Sequence, residues 1–198
     1  NTVVLYTADQ GYFLGEHGFF DKRLIYEESL RMPFVIRHPR EIPAGTRNSD
    51  IILNIDFSAL IADYAGIQNH ATIQGTSFRN NLIGYTPGDW RKSMYYRYWL
   101  HRIERPGHFG LRNKRFKLVF FYGQPLGMKG AMKAVTNPAW EFYDLDIDPQ
   151  ENHNAYQDAE YADIIETMKT ELLIQRKIIG DMDKKYPIMQ DIIDEYWD

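Results

Sequence analysis

Cysteine is absent from the 198 residues, which removes disulfides, thiolate metal sites and cysteine nucleophiles from this chain. Long apolar runs are missing too, and none approaches the roughly 20 residues that a bilayer-spanning helix needs. No basic stretch leads into an apolar one, so no signal peptide is expected, and the first residue is Asn rather than Met. Positive charge is in deficit. A net charge of -4 and a pI near 5.9 argue against a broad basic surface for nucleic acid. Repeats, heptads and low-complexity tracts are not found.

The residues present have ordinary globular proportions, with 44% hydrophobic and 25% charged. Aromatic content is high at 15%, and it fits half-buried strands and sugar-facing surfaces equally well. Val3-Val4-Leu5-Tyr6 reads as a short, fully buried strand. It stops at Thr7-Ala8-Asp9-Gln10-Gly11, the place beyond a strand's carboxyl end where open α/β sheets hold ligands. Gly11, Gly15 and Gly18 keep the next stretch a loop, and residues 26–30 form a short helix ended by Pro33. A second buried strand, Phe34-Val35-Ile36, closes at His38-Pro39.

Turn chemistry at 40–46 precedes a helix expected from Asp56 to Ala65, with Gly66 as its stop. Residues 68–88 are polar and glycine-bearing, and the reading places a long connection there. A boundary follows, with 1–88 as an α/β part and 89–198 as a C-terminal subdomain. Short aromatic strands at 93–100, 109–112, 116–121 and 140–143 predict a small antiparallel sheet. A helical stripe of Tyr161, Ile164, Ile165, Met168, Leu172 and Ile179 runs to Gly180, and a last short helix covers 188–197.

Chemistry-bearing residues cluster early. Asp9 and Gln10 offer two hard oxygen donors, which suit Ca²⁺ or Mg²⁺, or else Asp9 caps a turn. Lys22 either neutralises an oxyanion or passes a proton to a leaving oxygen, or else is a solvated lysine. His17, in Gly15-Glu16-His17-Gly18, either donates to an anion or sugar hydroxyl or pins the loop. Glu27 and Glu28 point about 100° apart on a helix, so caps or ion pairs are expected for both. His108, Arg112, Lys114, Arg115 and Lys117 form the densest basic segment, read as a local anion subsite or as a lysine-guarded sheet edge.

Read as one string, NTVVLYTADQGYFLGEHGFFDKRLIYEESLRMPFVIRHP resembles the segment that opens the C-terminal half of type I sulfatases, in the alkaline-phosphatase-like superfamily. NIDFSALIADYAGI, HFGLRNKRFKLVFFYG and WEFYDLDIDPQENHNAYQDAEY resemble later stretches of the same family, in the same order. The resemblance implies an α/β fold holding part of the alkaline-phosphatase-like sheet, with a small C-terminal antiparallel sheet and a packed helix. It implies calcium, or magnesium, at Asp9 and Gln10. Lys22 would contact the sulfate and its bridging oxygen, with His17 near the pocket and His108 and Arg112 on the sugar side.

The family's nucleophile is a formylglycine made from Cys or Ser in a Cys/Ser-x-Pro/Ala-x-Arg motif, and no such motif occurs here. That motif, the paired aspartates and further metal-side residues are expected N-terminal to this chain, which alone is expected to be inactive. The strings are most similar to bacterial glycosaminoglycan or N-acetylglucosamine-6-sulfate sulfatases. The resemblance therefore implies a sulfated sugar or oligosaccharide as partner and a periplasmic or secreted location. A phosphoester or phosphonate hydrolase of the same superfamily, or a noncatalytic carbohydrate-binding remnant, are the alternatives. A stripped sheet is also expected to expose an edge through which the fragment self-associates.

Overall fold

The computed structural model describes residues 2–67 and 72–198. Residues 68–71, at the head of the expected polar connection, lie outside the described residues, as does residue 1. Contacts divide the chain into two units: Asn1–Asp9 with Met32–Lys92, and Gln10–Arg31 with Ser93–Asp198.

In the first unit, β1 (Val4–Thr7) pairs antiparallel with β2 (Phe34–Arg37), placing Tyr6 opposite Val35 and Leu5 opposite Ile36. Strand alternation gives this ribbon two faces. Leu5, Phe34 and Ile36 pack against Leu60, Phe78, Leu82 and Trp90. The other face is open, with Val4 51%, Tyr6 66% and Val35 63% exposed. The expectation of fully buried strands is corrected on this point. Helices α2 (Asp56–Tyr64) and α3 (Arg79–Leu82) bring apolar residues to one face only.

Helix α2 starts where Asp56 is spent on local donors. Its carboxylate accepts from the Leu53 and Thr76 backbone N–H groups at 2.7 and 2.9 Å and pairs with both terminal nitrogens of Arg91. Gly66, at φ 70°, ends the helix as the sequence predicts.

The second unit is built on a sheet in the order β3-β4-β5-β6, antiparallel throughout. Its strands are β3 (Ser93–Tyr98), β4 (His108–Asn113), β5 (Phe116–Phe121) and β6 (Ala139–Asp144). One face carries Phe109, Leu111, Leu118, Phe120, Trp140 and Phe142. Helices α4 (Ala162–Ile178) and α5 (Pro187–Tyr196) cover it with Ile165, Met168, Leu172, Met189 and Ile192. The stripe on α4 is therefore the expected one along most of its length, although Ile179 lies past the helix and is 52% exposed.

The opposite face receives the loop 10–31. Phe13, Leu24 and Ile25 pack on Val119 and Phe121, so this segment groups with the C-terminal sheet rather than with residues 32–92.

Candidate functional site

Most of the residues singled out from the sequence lie on the loop 10–31 or on the sheet face beneath it. The loop is folded by its own backbone: Gly11 N–H donates to Ser29 O at 2.9 Å, and Phe13 N–H donates to Asp21 O at 2.8 Å. Gly11 sits so close to α1 (Glu27–Leu30) that a β-carbon there would lie 2.0 Å from Glu28 O. Glycine is required by this approach. The Leu14 N–H reaches Glu16 Oε2 at 2.6 Å, and backbone donors of Glu16 and Leu14 hold the Glu16 carboxyl below its usual range.

His17 has a left-handed backbone, at φ 51° and ψ 18°. Its ring stacks on Tyr26 at 4.4 Å and meets Phe13 edge-on at 5.9 Å. Nε2 stands 3.5 Å from Glu28 Oε2, within ion-pair distance but without a hydrogen bond. Tyr26 in turn donates to Glu141 Oε2 at 2.8 Å, and Tyr143 donates to the same oxygen at 3.0 Å. Burial pushes the Tyr26 hydroxyl and the Glu141 carboxyl both upward, so the carboxylate is held between two phenols in a low-dielectric site.

Lys22 follows a bend at Asp21 and precedes Arg23, which is left-handed at φ 96°. Asp21 bridges the guanidinium groups of Arg23 and Arg105, fixing one side of the bend. The other side is fixed by the Arg23 N–H, which donates to Ser29 Oγ at 2.7 Å. The same oxygen accepts from Gln10 Nε2 at 3.0 Å. Asp9 belongs to the first unit and is exposed, and its backbone oxygen accepts from Asn54 Nδ2 at 2.6 Å.

Lys117 carries its charge into the interior, and Arg112 lies part-buried beside it. Arg112 grips Glu27 through Nε and Nη2 at 3.1 and 2.9 Å. Lys117, fully buried, stands 3.1 Å from Glu27 Oε1 and 2.6 Å from Glu151 Oε1, off the line of a hydrogen bond. Glu151 also accepts from the Glu27 N–H at 2.7 Å. Burial opposes ionisation of Glu27, but Lys117 and Arg112 overcome it and hold the carboxyl at about 2. For Glu151 burial wins, and its carboxyl is raised. The reading of this basic segment as a sheet edge is corrected: β4 and β5 are the two inner strands. Glu27 is within ion-pair distance of Arg112 and Lys117, and Glu28 of His17.

His108 is fully buried among Tyr96, Tyr98 and Phe121. Loss of solvation pulls its imidazole down to about 4, only partly offset by the bond from Nδ1 to Pro106 O at 2.7 Å. It is a neutral ring at pH 7. Sequence reasoning missed Ser29, Tyr26 and Glu141, the residues that fasten the loop. The signal for Tyr26 and Ser29 was the polar run Tyr26-Glu27-Glu28-Ser29 before β2, while Glu141, on β6, gave none.

The family model for N-sulphoglucosamine sulphohydrolase, C-terminal, matches residues 15–178. The chain belongs to this sulfatase family. Among its relatives, an N-acetylglucosamine-6-O-sulfatase of Bacteroides thetaiotaomicron is 44% identical over 168 residues. That match covers 82% of this sulfatase chain and 28% of the relative, so the chain spans well under half of the relative's length.

A protein solved in complex with its substrate D-glucosamine-2-N,6-O-disulfate superposes with a TM-score of 0.80 at 39% identity, covering 93% of this chain and 36% of that one. The phosphonate monoester hydrolase of Agrobacterium radiobacter has a TM-score of 0.69 at 23% identity, over 88% and 35% of the two chains, a likeness of fold. The sulfatase-family chain is thus an α/β fold with part of the alkaline-phosphatase-like architecture. Within its described residues, no group of three or more His, Cys, Asp or Glu is placed to hold a metal ion. No described helix is long and apolar enough to cross a membrane.

Proposed function

We propose that this chain supplies one side of the catalytic pocket of a sulfuric-ester hydrolase acting on a sulfated amino sugar, with the 6-O-sulfate of a glucosamine unit the favoured target. The observation that carries this is the loop 10–31, which presents Gln10, His17 and Lys22 from a rigidly fastened backbone. Similarity to a 6-O-sulfatase and to a protein whose substrate is a glucosamine disulfate supports the choice of sugar.

On this reading Lys22 is the cation that faces the sulfate. Its ammonium carries three donors as a compact charge. It neutralises a sulfate oxygen and delivers a proton toward the departing sugar oxygen. His17, held by Tyr26 and Glu28, orients a substrate hydroxyl or sulfate oxygen from the same loop. Arg112 acts on the sugar side through its grip on Glu27, and His108 through the aromatic wall it shares with Tyr96 and Tyr98.

Asp9 and Gln10 fit a hard divalent cation as donors. Asp9 is an exposed residue, and Gln10 directs its amide nitrogen to Ser29, which turns its carbonyl oxygen toward a ligand. Calcium, or magnesium, would supply positive charge against the sulfate oxygens. Two donors are too few for calcium, which takes about 6–8 oxygens, so the other ligands are expected from outside this chain. The same holds for the formylglycine nucleophile, since these residues contain no motif for it. The chain by itself is expected to be inactive, and the complete protein to work in the periplasm or outside the cell. We also propose that the bare face of the β1–β2 ribbon makes the isolated chain self-associate.

Replacing Lys22 with Ala in the intact protein tests the assignment. A fall in kcat of about 100-fold or more, with an unchanged thermal midpoint, is expected. Near-normal turnover would remove Lys22 from the mechanism. Assay of sulfate and phosphonate esters side by side separates this proposal from a phosphonate hydrolase, which shares the fold. Calcium-independent sugar binding without hydrolysis by the intact protein would favour a carbohydrate-binding role instead.

A further inference from the structure

We infer that Ser29 is the positioning residue that sets the metal-facing and sulfate-facing residues of this pocket in register, an assignment that rests on the roles proposed above for Gln10 and Lys22. Ser29 is completely buried, yet every polar atom it offers to the loop is used. Its Oγ accepts from Gln10 Nε2 at 3.0 Å and from the Arg23 N–H at 2.7 Å, and its backbone oxygen accepts from Gly11 N–H at 2.9 Å. One side chain thus joins the residue after Asp9 to the residue after Lys22, 13 positions apart in sequence.

The chemistry of each bond gives the role its content. Holding the amide nitrogen of Gln10 decides which end of the carboxamide is left over, and that end is the oxygen, the only one a hard cation accepts. Without the serine, the amide keeps only its contact with the Tyr96 hydroxyl and can turn to present N–H groups to the cation. Holding the Arg23 N–H stabilises a left-handed backbone in a non-glycine residue, a conformation that needs support from its surroundings. Released from it, the Arg23 backbone beside Lys22 would be held by the Tyr96 hydroxyl alone, which donates to Arg23 O at 2.7 Å. Ser29 also sits on α1, whose neighbour Glu28 is within ion-pair distance of His17, so the three loop residues share one anchor.

The test is a cycle in the intact protein, reading calcium affinity from the calcium-dependent rise in thermal midpoint, together with kcat and KM. Ser29→Ala is expected to weaken calcium about tenfold or more and to lower kcat with little change in KM, the size typical for losing a group that orients a ligand. Gln10→Ala should weaken calcium as much, and the double variant should be no worse than either single one. If Gln10→Ala weakens calcium while Ser29→Ala does not, or if the two losses add, the role of Ser29 is overturned and the metal reading survives. If Gln10→Ala leaves calcium binding unchanged, the metal reading itself fails, and the positioning role falls with it. Should Ser29→Ala lose its calcium-free fold by circular dichroism, Ser29→Cys replaces it, keeping the volume while offering only a weak acceptor.

Discussion

Gly11 and Gly110 are positions where hydrogen is the largest side chain that fits. A β-carbon at Gly11 would meet Glu28 O at 2.0 Å and Arg31 O at 2.7 Å, and one at Gly110 would meet Leu118 O at 2.5 Å and Ile25 Cδ1 at 2.7 Å. Gly11→Ala is expected to cost about 2 kcal/mol through overpacking against backbone that cannot move aside. In a chain of this size that is a fall of roughly 4–8 °C in thermal midpoint, and an unchanged midpoint would show the loop to be more pliant than its contacts imply. His108 makes a prediction of the opposite kind, about pH. Its folded value of about 4 lies below the usual 6.5, so the unfolded state binds the extra proton between those limits. Stability is full above pH 6.5 and is lost as pH falls toward 4, by up to about 1.4 kcal/mol per unit. Urea titrations at pH 4.5, 5.5 and 6.5 should show that slope, and His108→Gln should flatten it. An equal slope in the variant would assign the acid sensitivity elsewhere.

The elements were the most legible part of the sequence. Strands expected at 116–121 and 140–143 appear at Phe116–Phe121 and Ala139–Asp144, because aromatic and branched residues there stop at glycine, asparagine or proline. The helix from Asp56 was readable from its apolar spacing and from Gly66. What periodicity could not show was a charge on the inside. Lys117 reads like any basic residue in a polar hairpin, yet it is enclosed by Glu27 and Glu151, more than 30 positions away on either side. Nor could local pattern reveal that the loop after β1 lies on a sheet that begins only at Ser93, since that depends on long-range packing of Phe13 and Ile25. The buried charges give a test of this element pairing. Lys117→Met leaves Glu151 without its cation and Glu27 with Arg112 alone, and should destabilise the fold by about 3–5 kcal/mol at pH 7. The deficit should shrink as pH falls, because protonation then removes the unpaired charge. A deficit that stays constant down to pH 4 would mean that packing volume, not charge, is what the lysine supplies.

At the scale of the whole molecule, the uneven cover of its apolar surface decides how it behaves in solution. Val4, Tyr6 and Val35 lie side by side on one open ribbon face, and a net charge of -4 is modest opposition to self-contact. Sedimentation of the isolated chain should therefore show concentration-dependent association, which Val35→Lys should suppress. A monodisperse monomer at all concentrations would count against a sticky ribbon. The seating of Gln10–Arg31 on the sheet of β3 to β6 bears on how such proteins can be recombined. A chimaera joined at a single point near residue 88 would set the loop bearing Lys22 on a foreign floor, without the socket that Gly110 leaves for Ile25. Exchange between relatives is expected to preserve chemistry only when the two stretches travel together, so the inheritable module here is discontinuous in the gene.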